Sequence, residues 1–398
     1  MQFAEAPHKV ARMEEKAVKM IGHSVETETE RLILGDPAPW FTARYVSGGT
    51  SDLHVNAGRW IVISFLHDLA AERAQQELSA LAARLAGFTE DHLVAYAVLT
   101  APPAETSALP VATAQVLRLV ADYDQSITDL YGARSMPRTV VLDPMLRSIA
   151  IIPWDHPMGH AALLAQVLQG LPSVDHSAGV PLTAPALIVP RVFDFELCDF
   201  LVQLYDRMGG EDSGFLLDQA GKTATILDHR LKRRRDLPIV VPELRERIRA
   251  RLVARLLPAV ERYFQFAATR MDRYIVSCYD SNDGGYFFRH RDNLNAGAEH
   301  RRFAVSINLN HDYDGCDLVF PEFGRRTYRA PVGGAIVFSC GALHEVTPIT
   351  RGRRFAFLPF LYNESDAILR ETNNNRLDAN SARYVAGNDL LYPPTEVA

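Results

Sequence analysis

Two residues raise the first chemical possibility. In GGYFFRHRDN, Gly284 to Asn293, an aromatic run ends on His290 and Asp292 follows two places later. Residues i and i+2 of a strand share a face, so this imidazole and carboxylate can aim at one point while Arg291 and Asn293 face outward, toward a substrate or a lid. The pair is either two-thirds of a metal site or an ordinary charged strand end.

A facial triad needs a third ligand, and His300, His311 and His344 are the candidates. His344 is preferred. It follows the strand-and-turn pattern GGAIVFSCGAL and opens the next strand, LHEVTPI, where a ligand near a barrel mouth leaves metal positions within reach of substrate. His300 in AGAEHRR and His311 in NLNHDYDG lie in polar, loop-like surroundings and read as surface histidines. Two His and one Asp leave three octahedral positions free, as in non-haem Fe(II) oxygenases, although zinc hydrolysis can use the same ligands.

Arg354 follows His344 by ten places, in TPITRGRRFAFLPF. Arg354, Ala356, Leu358 and Phe360 share one strand face. If that face is inward, the guanidinium needs an anion, because a buried unpaired charge costs several kcal/mol. The far carboxylate of 2-oxoglutarate, taken bidentately, would supply it.

These residues need two kinds of scaffold. WIVISFL (60–66) and LVAYAVL (93–99) are continuously apolar, as strands covered on both faces should be, and AAERAQQELSALAARLAG (70–87) between them has helical spacing. RTVVLD (138–143) and SIAII (148–152) add strands, and HAALLAQVLQG (160–170) another helix, so the first half predicts a central sheet with flanking helices. Residues 171–186, LPSVDHSAGVPLTAPA, read as a linker. Beyond it come helices at 194–210 and 242–266. From Arg273 onward short strands alternate with turns, the texture of an antiparallel sandwich or barrel.

Composition narrows the classes. The 398 residues are 47 % hydrophobic, enough for two or three folded domains. Residues 1–180 hold 13 Lys+Arg against 20 Asp+Glu, and the remainder 29 against 28. A net charge of −6 argues against nucleic acid as a partner, and HRLKRRRD (229–236) reads as a solvated loop or lid. No run of about 18 apolar residues predicts a membrane span, and the N-terminus lacks the apolar core of a secretory signal. The four cysteines, Cys198, Cys278, Cys316 and Cys340, have no C-x-x-C spacing and read as free thiols of a cytoplasmic protein.

Two resemblances follow. GDPAPWF (35–41), the β-α-β unit and SMPRTVVLDP (135–144) resemble the thioredoxin-like fold in its peroxiredoxin branch, over roughly residues 30–170. That likeness implies a cis bond at Met136–Pro137. It also implies a thiolate at the start of the first helix, where FLHDLAAERAQ places His67 and Asp68 instead. No cysteine occurs in residues 1–180, so thiol peroxidase chemistry is excluded there, and dimerisation, partner docking or shielding of the second domain is expected.

The segments YDSNDGGYFFRHRDN, FAVSINLNHDYDGCDLVFPEFG and GGAIVFSCGALHEVTPITRGRRFAF resemble Fe(II)/2-oxoglutarate dioxygenases of the prolyl 4-hydroxylase type. The likeness implies that His290, Asp292 and His344 bind Fe(II) and Arg354 the distal carboxylate of 2-oxoglutarate. Tyr279 would hydrogen-bond the co-substrate, and Asn308 would offer its amide where relatives carry a tyrosine. Cys316 stands where two glycines are usual and is expected as a packed thiol. With O2, and with ascorbate as a compatible accessory reductant, the implied reaction hydroxylates an amino-acid, peptide or protein substrate and releases succinate and CO2. A homodimer is compatible with this reading. A non-catalytic iron- or oxygen-sensing protein or scaffold, and a metallohydrolase, are the alternatives.

The expected architecture is therefore a helical extension (1–29), a degenerate thioredoxin-like α/β domain (30–170), a linker (171–186), a double-stranded β-helix, or jelly roll, with supporting helices (187–365), and a polar tail (366–398).

Overall fold

Strand β1, Trp60–Leu66, has every residue buried, as its unbroken apolar run requires. In the computed structural model, which describes residues 32–66, 72–102, 116–134, 136–219, 221–379, 381–386 and 390–392, it is the centre of a five-stranded sheet. Helix α1, Glu72–Leu85, crosses to β2, Leu93–Leu99, which pairs parallel to β1, and β3, Leu117–Ala121, extends that edge in parallel. After the short helix α2, Ser126–Leu130, strands β4, Arg138–Leu142, and β5, Ser148–Pro153, add antiparallel on the other side of β1, giving the order β3-β2-β1-β4-β5. Helix α3, His160–Gln169, closes the thioredoxin-like α/β layout. Each fully buried Val, Ile or Leu here contributes roughly 1.5–3 kcal/mol.

Two details differ from expectation. β3 was not legible as a strand, since LRLVA carries an arginine and leaves three positions half-buried. No cis peptide occurs among the described residues: Met136–Pro137 is trans, and the Met136 carbonyl accepts from Arg138 Nε at 3.1 Å. His67 and Asp68 lie outside the described residues, as does the extension at 1–29.

The chain divides into two units, residues 1–173 and 174–398. The linker expected over 171–186 crosses this boundary, and its residues from 174 onward make contacts within the second unit. Ala184 N–H donates to Tyr328 Oη (2.9 Å), Asp175 Oδ1 accepts from Arg325 N–H (2.6 Å), and β6, Ala186–Val189, joins the large sheet. Helix α4, Phe195–Met208, starts on an Asp194 cap. The helix expected over 242–266 is two, α5, Pro242–Arg255, and α6, Leu257–Phe264. Pro258 has no N–H to continue the ladder, so the chain resets at Leu256.

Two antiparallel sheets of jelly-roll type follow. Before α5, the basic run forms β7, Lys232–Arg233, and β8, Arg235–Pro238. After α6 come β9, Arg270–Asp272; β10, Ile275–Asp280; β11, Tyr286–His290; and β12, Phe303–Asn308. Then come β13, Leu318–Val319; β14, Thr327–Tyr328; β15, Ala335–Ser339; β16, His344–Val346; β17, Arg353–Phe357; and β18, Phe360–Tyr362. The smaller sheet runs β7-β11-β16-β13-β14. The larger runs β9-β18-β12-β17-β10-β8, with β15 paired to β12 and β6. The core between helices and large sheet includes Leu201, Ile248, Leu252, Val276, Val305, Val337 and Phe357.

Past β18 the chain continues in contact with this body. Asn363 and Asp366 form a capping box for α7, Glu364–Thr372. Asp366, buried, pairs with Arg302; Glu364 pairs with Arg270 at 2.6 Å; Arg370 reaches Asp272 at 3.2 Å; and Leu391 joins the core. The polar composition expected of a tail from 366 is that of a helix whose charges are spent on ion pairs. Among the described residues no helix is long and apolar enough to cross a membrane.

Candidate metal centre

The turn before β11 is set by two glycines. Gly284 holds φ +63, open to glycine and strained for other residues, and a Cβ on Gly285 would stand 3.0 Å from both Tyr279 Cβ and Asp280 N. The hairpin therefore closes against β10 and delivers His290 at the end of β11. Asp292 lies just beyond the strand end, not within it as expected. Its N–H donates to the Cys340 carbonyl at 2.9 Å, which ties the turn to the residue after β15.

His290 and His344 are direct partners in the β11–β16 register, beyond a register shift at Phe287. Asp292 lies between them, with Oδ1 3.5 Å from His290 Nε2 and Oδ2 3.4 Å from His344 Nε2. The three ligand atoms lie within 4.8 Å of one another, the one group of this kind among the described residues that could hold a metal ion.

The donor set suits a divalent metal. His290 Nδ1 is 2.7 Å from the Phe288 carbonyl and His344 Nδ1 is 3.0 Å from that of Ala342. A carbonyl only accepts, so each Nδ1 carries the hydrogen and each Nε2 presents a lone pair inward. Burial, reinforced by His290, pushes the His344 imidazole down to about 4, so it is neutral at physiological pH. Burial would raise the Asp292 carboxyl, but His344 and His290 outweigh that and hold it well below the usual range, ionised. Phe287 stacks on His290 with ring centroids 3.5 Å apart, and Phe338 meets His344 edge-on at 4.7 Å, so both rings are fixed by packing.

Glu322, in the turn Pro321–Phe323, clamps the two ligand segments together. Its carboxylate takes Arg291 at 2.8 and 3.2 Å and accepts the Leu343 N–H at 3.0 Å. Arg291, expected to face a substrate or lid, is thus buried in an ion pair behind the triad. Glu322 gave no signal in the sequence beyond being a lone acid in an apolar turn.

Arg354 pairs in register with Tyr279 on β17 and β10 of the large sheet, across the cavity from the triad. It is 5 % exposed. Nη2 donates to Ser306 Oγ (2.8 Å), Nη1 approaches Cys316 Sγ (3.9 Å), and Nε has no partner. Among the described residues no carboxylate pairs with it. Its neighbour Arg353 points outward to Asp206 at 2.8 Å, as strand alternation requires.

Tyr279 lines the same cavity, its ring 5.7 Å from the Arg354 guanidinium carbon. Burial raises its hydroxyl, which therefore keeps its proton as a donor. Asn308 does not join them. Its Oδ1 accepts from Tyr313 Oη (2.9 Å) and its Nδ2 donates to the Asn310 and Ala330 carbonyls, so the amide is saturated inside the wall. Ser306, two residues earlier on the same strand, touches Arg354 instead. Sequence reasoning missed it because FAVSIN offers one small polar residue with no spacing signal.

Two other expectations change. His300 is 1 % exposed, not a surface residue, and sits 3.6 Å from Asp272. His311 is exposed as expected. The run 229–236 is not uniformly solvated: Lys232 and Arg234 are buried while Arg233 and Arg235 are exposed, because β7 and β8 turn alternate residues inward. All four cysteines are buried free thiols.

Residues 274–362 match the family model of the 2OG-Fe(II) oxygenase superfamily, and residues 34–148 that of the AhpC/TSA family. The chain is 40 % identical over 70 residues to a PKHD-type hydroxylase of Shewanella frigidimarina, covering 17 % of this chain and 31 % of that protein. It is 31 % identical over 152 residues to one of Paracoccus denitrificans, covering 35 % and 60 %. The chain thus spans less than two thirds of the length of these curated relatives. Among solved structures it is similar to a Pseudomonas putida prolyl-4-hydroxylase (16 % identity, 46 % of this chain and 94 % of that one, TM-score 0.36). It is also similar to a thiol:disulfide interchange protein from Bacteroides (18 %, 35 % and 90 %, TM-score 0.29). Residues 274–362 belong to a 2OG-Fe(II) oxygenase domain, and residues 34–148 to a thioredoxin-like domain of the AhpC/TSA family.

Proposed function

We propose that the second domain is an Fe(II)- and 2-oxoglutarate-dependent hydroxylase acting on an unactivated C–H bond of a prolyl or other amino-acid residue, or of a related small molecule, with release of succinate and CO2. The observation that carries this reading is Arg354: a buried guanidinium without a carboxylate partner among the described residues, in the cavity that also holds His290, Asp292 and His344. Such a charge is costly unless a ligand neutralises it, and the distal carboxylate of 2-oxoglutarate is an anion of the right size and fork geometry. A metallohydrolase has no need of that cation. The PKHD-type hydroxylase names of the curated relatives agree with oxidation.

His290, Asp292 and His344 would hold the metal. Bound Fe(II) supplies the O2 chemistry that 2-oxoglutarate drives. The residues of this chain do the rest by position. The carbonyls of Phe288 and Ala342 hold the imidazoles in the ligating tautomer. Arg354, steadied by Ser306, anchors the co-substrate, and the Tyr279 hydroxyl donates to it. Leu318, Phe338, Val346 and Phe360 make the cavity wall apolar, which limits water and strengthens these charge-assisted bonds. The first domain brings no thiol to the reaction, since residues 1–180 contain no cysteine.

The test is anaerobic addition of Fe(II) and then 2-oxoglutarate to the full chain, expecting a weak visible charge-transfer band. Bound iron with no band on adding 2-oxoglutarate would sink the reading.

A further inference from the structure

The cavity has a second cationic wall that the triad and Arg354 do not use. Arg234, 8 % exposed, and Arg273 both line it. Both donate to a single atom, Asp236 Oδ2, at 2.7 and 3.3 Å. That carboxylate also accepts from Ser277 Oγ at 2.6 Å, on Oδ1, and from Ser213 Oγ, the third donor on Oδ2. Two guanidinium groups facing one carboxylate leave one positive charge without a counter-ion. Beside them Lys232, also buried, rests its ammonium on Ser213 Oγ and the Gly214 carbonyl, neither of them charged.

Two further features point this wall at a ligand. Arg234 Nε is buried with no hydrogen-bond partner. Arg273 holds φ +70, a left-handed conformation costly for a residue with a Cβ, which the surrounding fold must enforce. The two guanidinium groups lie over aromatic rings of the cavity, Arg234 5.9 Å from Tyr279 and Arg273 5.3 Å from Phe360, so an incoming group meets donors backed by apolar surface.

The remaining charge does not belong to the co-substrate. On the reading proposed above, on which this inference rests, a divalent metal, Asp292, Arg354 and doubly anionic 2-oxoglutarate together sum to neutrality. The surplus on the Arg234–Arg273 pair is then positive, and a carboxylate matches the planar fork that a guanidinium presents.

We propose that the primary substrate carries a carboxylate, and that Arg234 and Arg273 bind it and so present the C–H bond to the metal. Either an α-carboxylate or an Asp/Glu side chain supplies this chemistry.

The experiment uses the full chain loaded with Mn(II), saturated with 2-oxoglutarate, and reads the paramagnetic relaxation of probe protons by NMR. The probes are N-acetyl-L-proline, with an α-carboxylate, and N-acetyl-L-aspartic acid α-methylamide, with a side-chain carboxylate, each paired with its uncharged amide. At least one acid should show saturable relaxation while its amide does not, and the acid that responds names the source. Arg234→Gln and, independently, the less buried Arg273→Gln should each weaken that binding at least about tenfold, with 2-oxoglutarate affinity within about twofold of the unaltered chain. Equal relaxation by acid and amide, no relaxation by either, or unaltered acid binding in both variants overturns this inference while leaving the co-substrate reading intact. Failure of 2-oxoglutarate itself to bind overturns both.

Discussion

His290 and His344 face each other as register partners on neighbouring antiparallel strands, with ring centroids 4.2 Å apart and one carboxylate, Asp292, offering an oxygen to each. The ligands are therefore held by the ladder itself. Sliding β16 by one residue would send His344 to the opposite face.

Asp292 is the only anion of the set, so Asp292→Ala should lower Mn(II) or Fe(II) affinity by at least about 100-fold, read by equilibrium dialysis. An affinity matching that of the unaltered chain would refute the triad.

Arg354→Gln removes the charge and the fork but not the metal ligands. The expected result is 2-oxoglutarate affinity weakened about 10- to 100-fold, from charge-assisted bonds worth about 1.5–3 kcal/mol, with metal affinity retained. Calorimetry on the metal-loaded protein checks it, and an unchanged dissociation constant would remove Arg354 from its assigned role.

Arg291→Met should act on stability. It leaves the partly buried Glu322 carboxylate without its cation and loosens the clamp on Leu343, at a cost of about 1–3 kcal/mol. Urea unfolding gives the value, and a loss below about 1 kcal/mol would show that the pair is dispensable.

The His300 imidazole supplies the pH dependence. Burial, against the opposing pull of Asp272, pushes it down to about 4 from its ordinary 6.5. Between these values the unfolded chain binds the proton and the folded one does not, so stability falls as pH drops below about 6.5 and that loss is complete below about 4. Between pH 7 and pH 5 the unaltered chain should lose about 2 kcal/mol more than His300→Phe, compared by urea unfolding in one metal-loading state. Parallel curves would refute it.

The chemistry was legible where strand periodicity carried it. His290 and His344 could be paired because the first closes a strand-like run and the second opens one, and Arg354 because alternation separates it from Arg353. The same logic failed beyond a strand end: Arg291 was placed outward, but after His290 the chain turns, and alternation no longer decides direction. Asn308 was misjudged for a different reason. Its position on β12 was right, but its amide found neighbours from 310, 313 and 330, contacts that only the folded chain brings together. Arg234 and Lys232 were hidden inside a basic run whose composition suggested solvent, since charge density does not report which alternate residues turn inward. β3, with its half-buried arginine, lacked the apolar continuity that exposed β1 and β2.

Helix α7 bears on how fragments of this protein should be cut. The oxygenase match stops at residue 362, yet Glu364, Asp366 and Arg370 supply partners to Arg270, Arg302 and Asp272, and Tyr384 stacks its ring 4.1 Å from the Arg370 guanidinium carbon. A fragment ending at the homology boundary would leave Arg270 buried without its carboxylate and Asp272 short of a cation, one residue before Arg273 in the cavity wall. Fragments intended for binding work should run past Leu391.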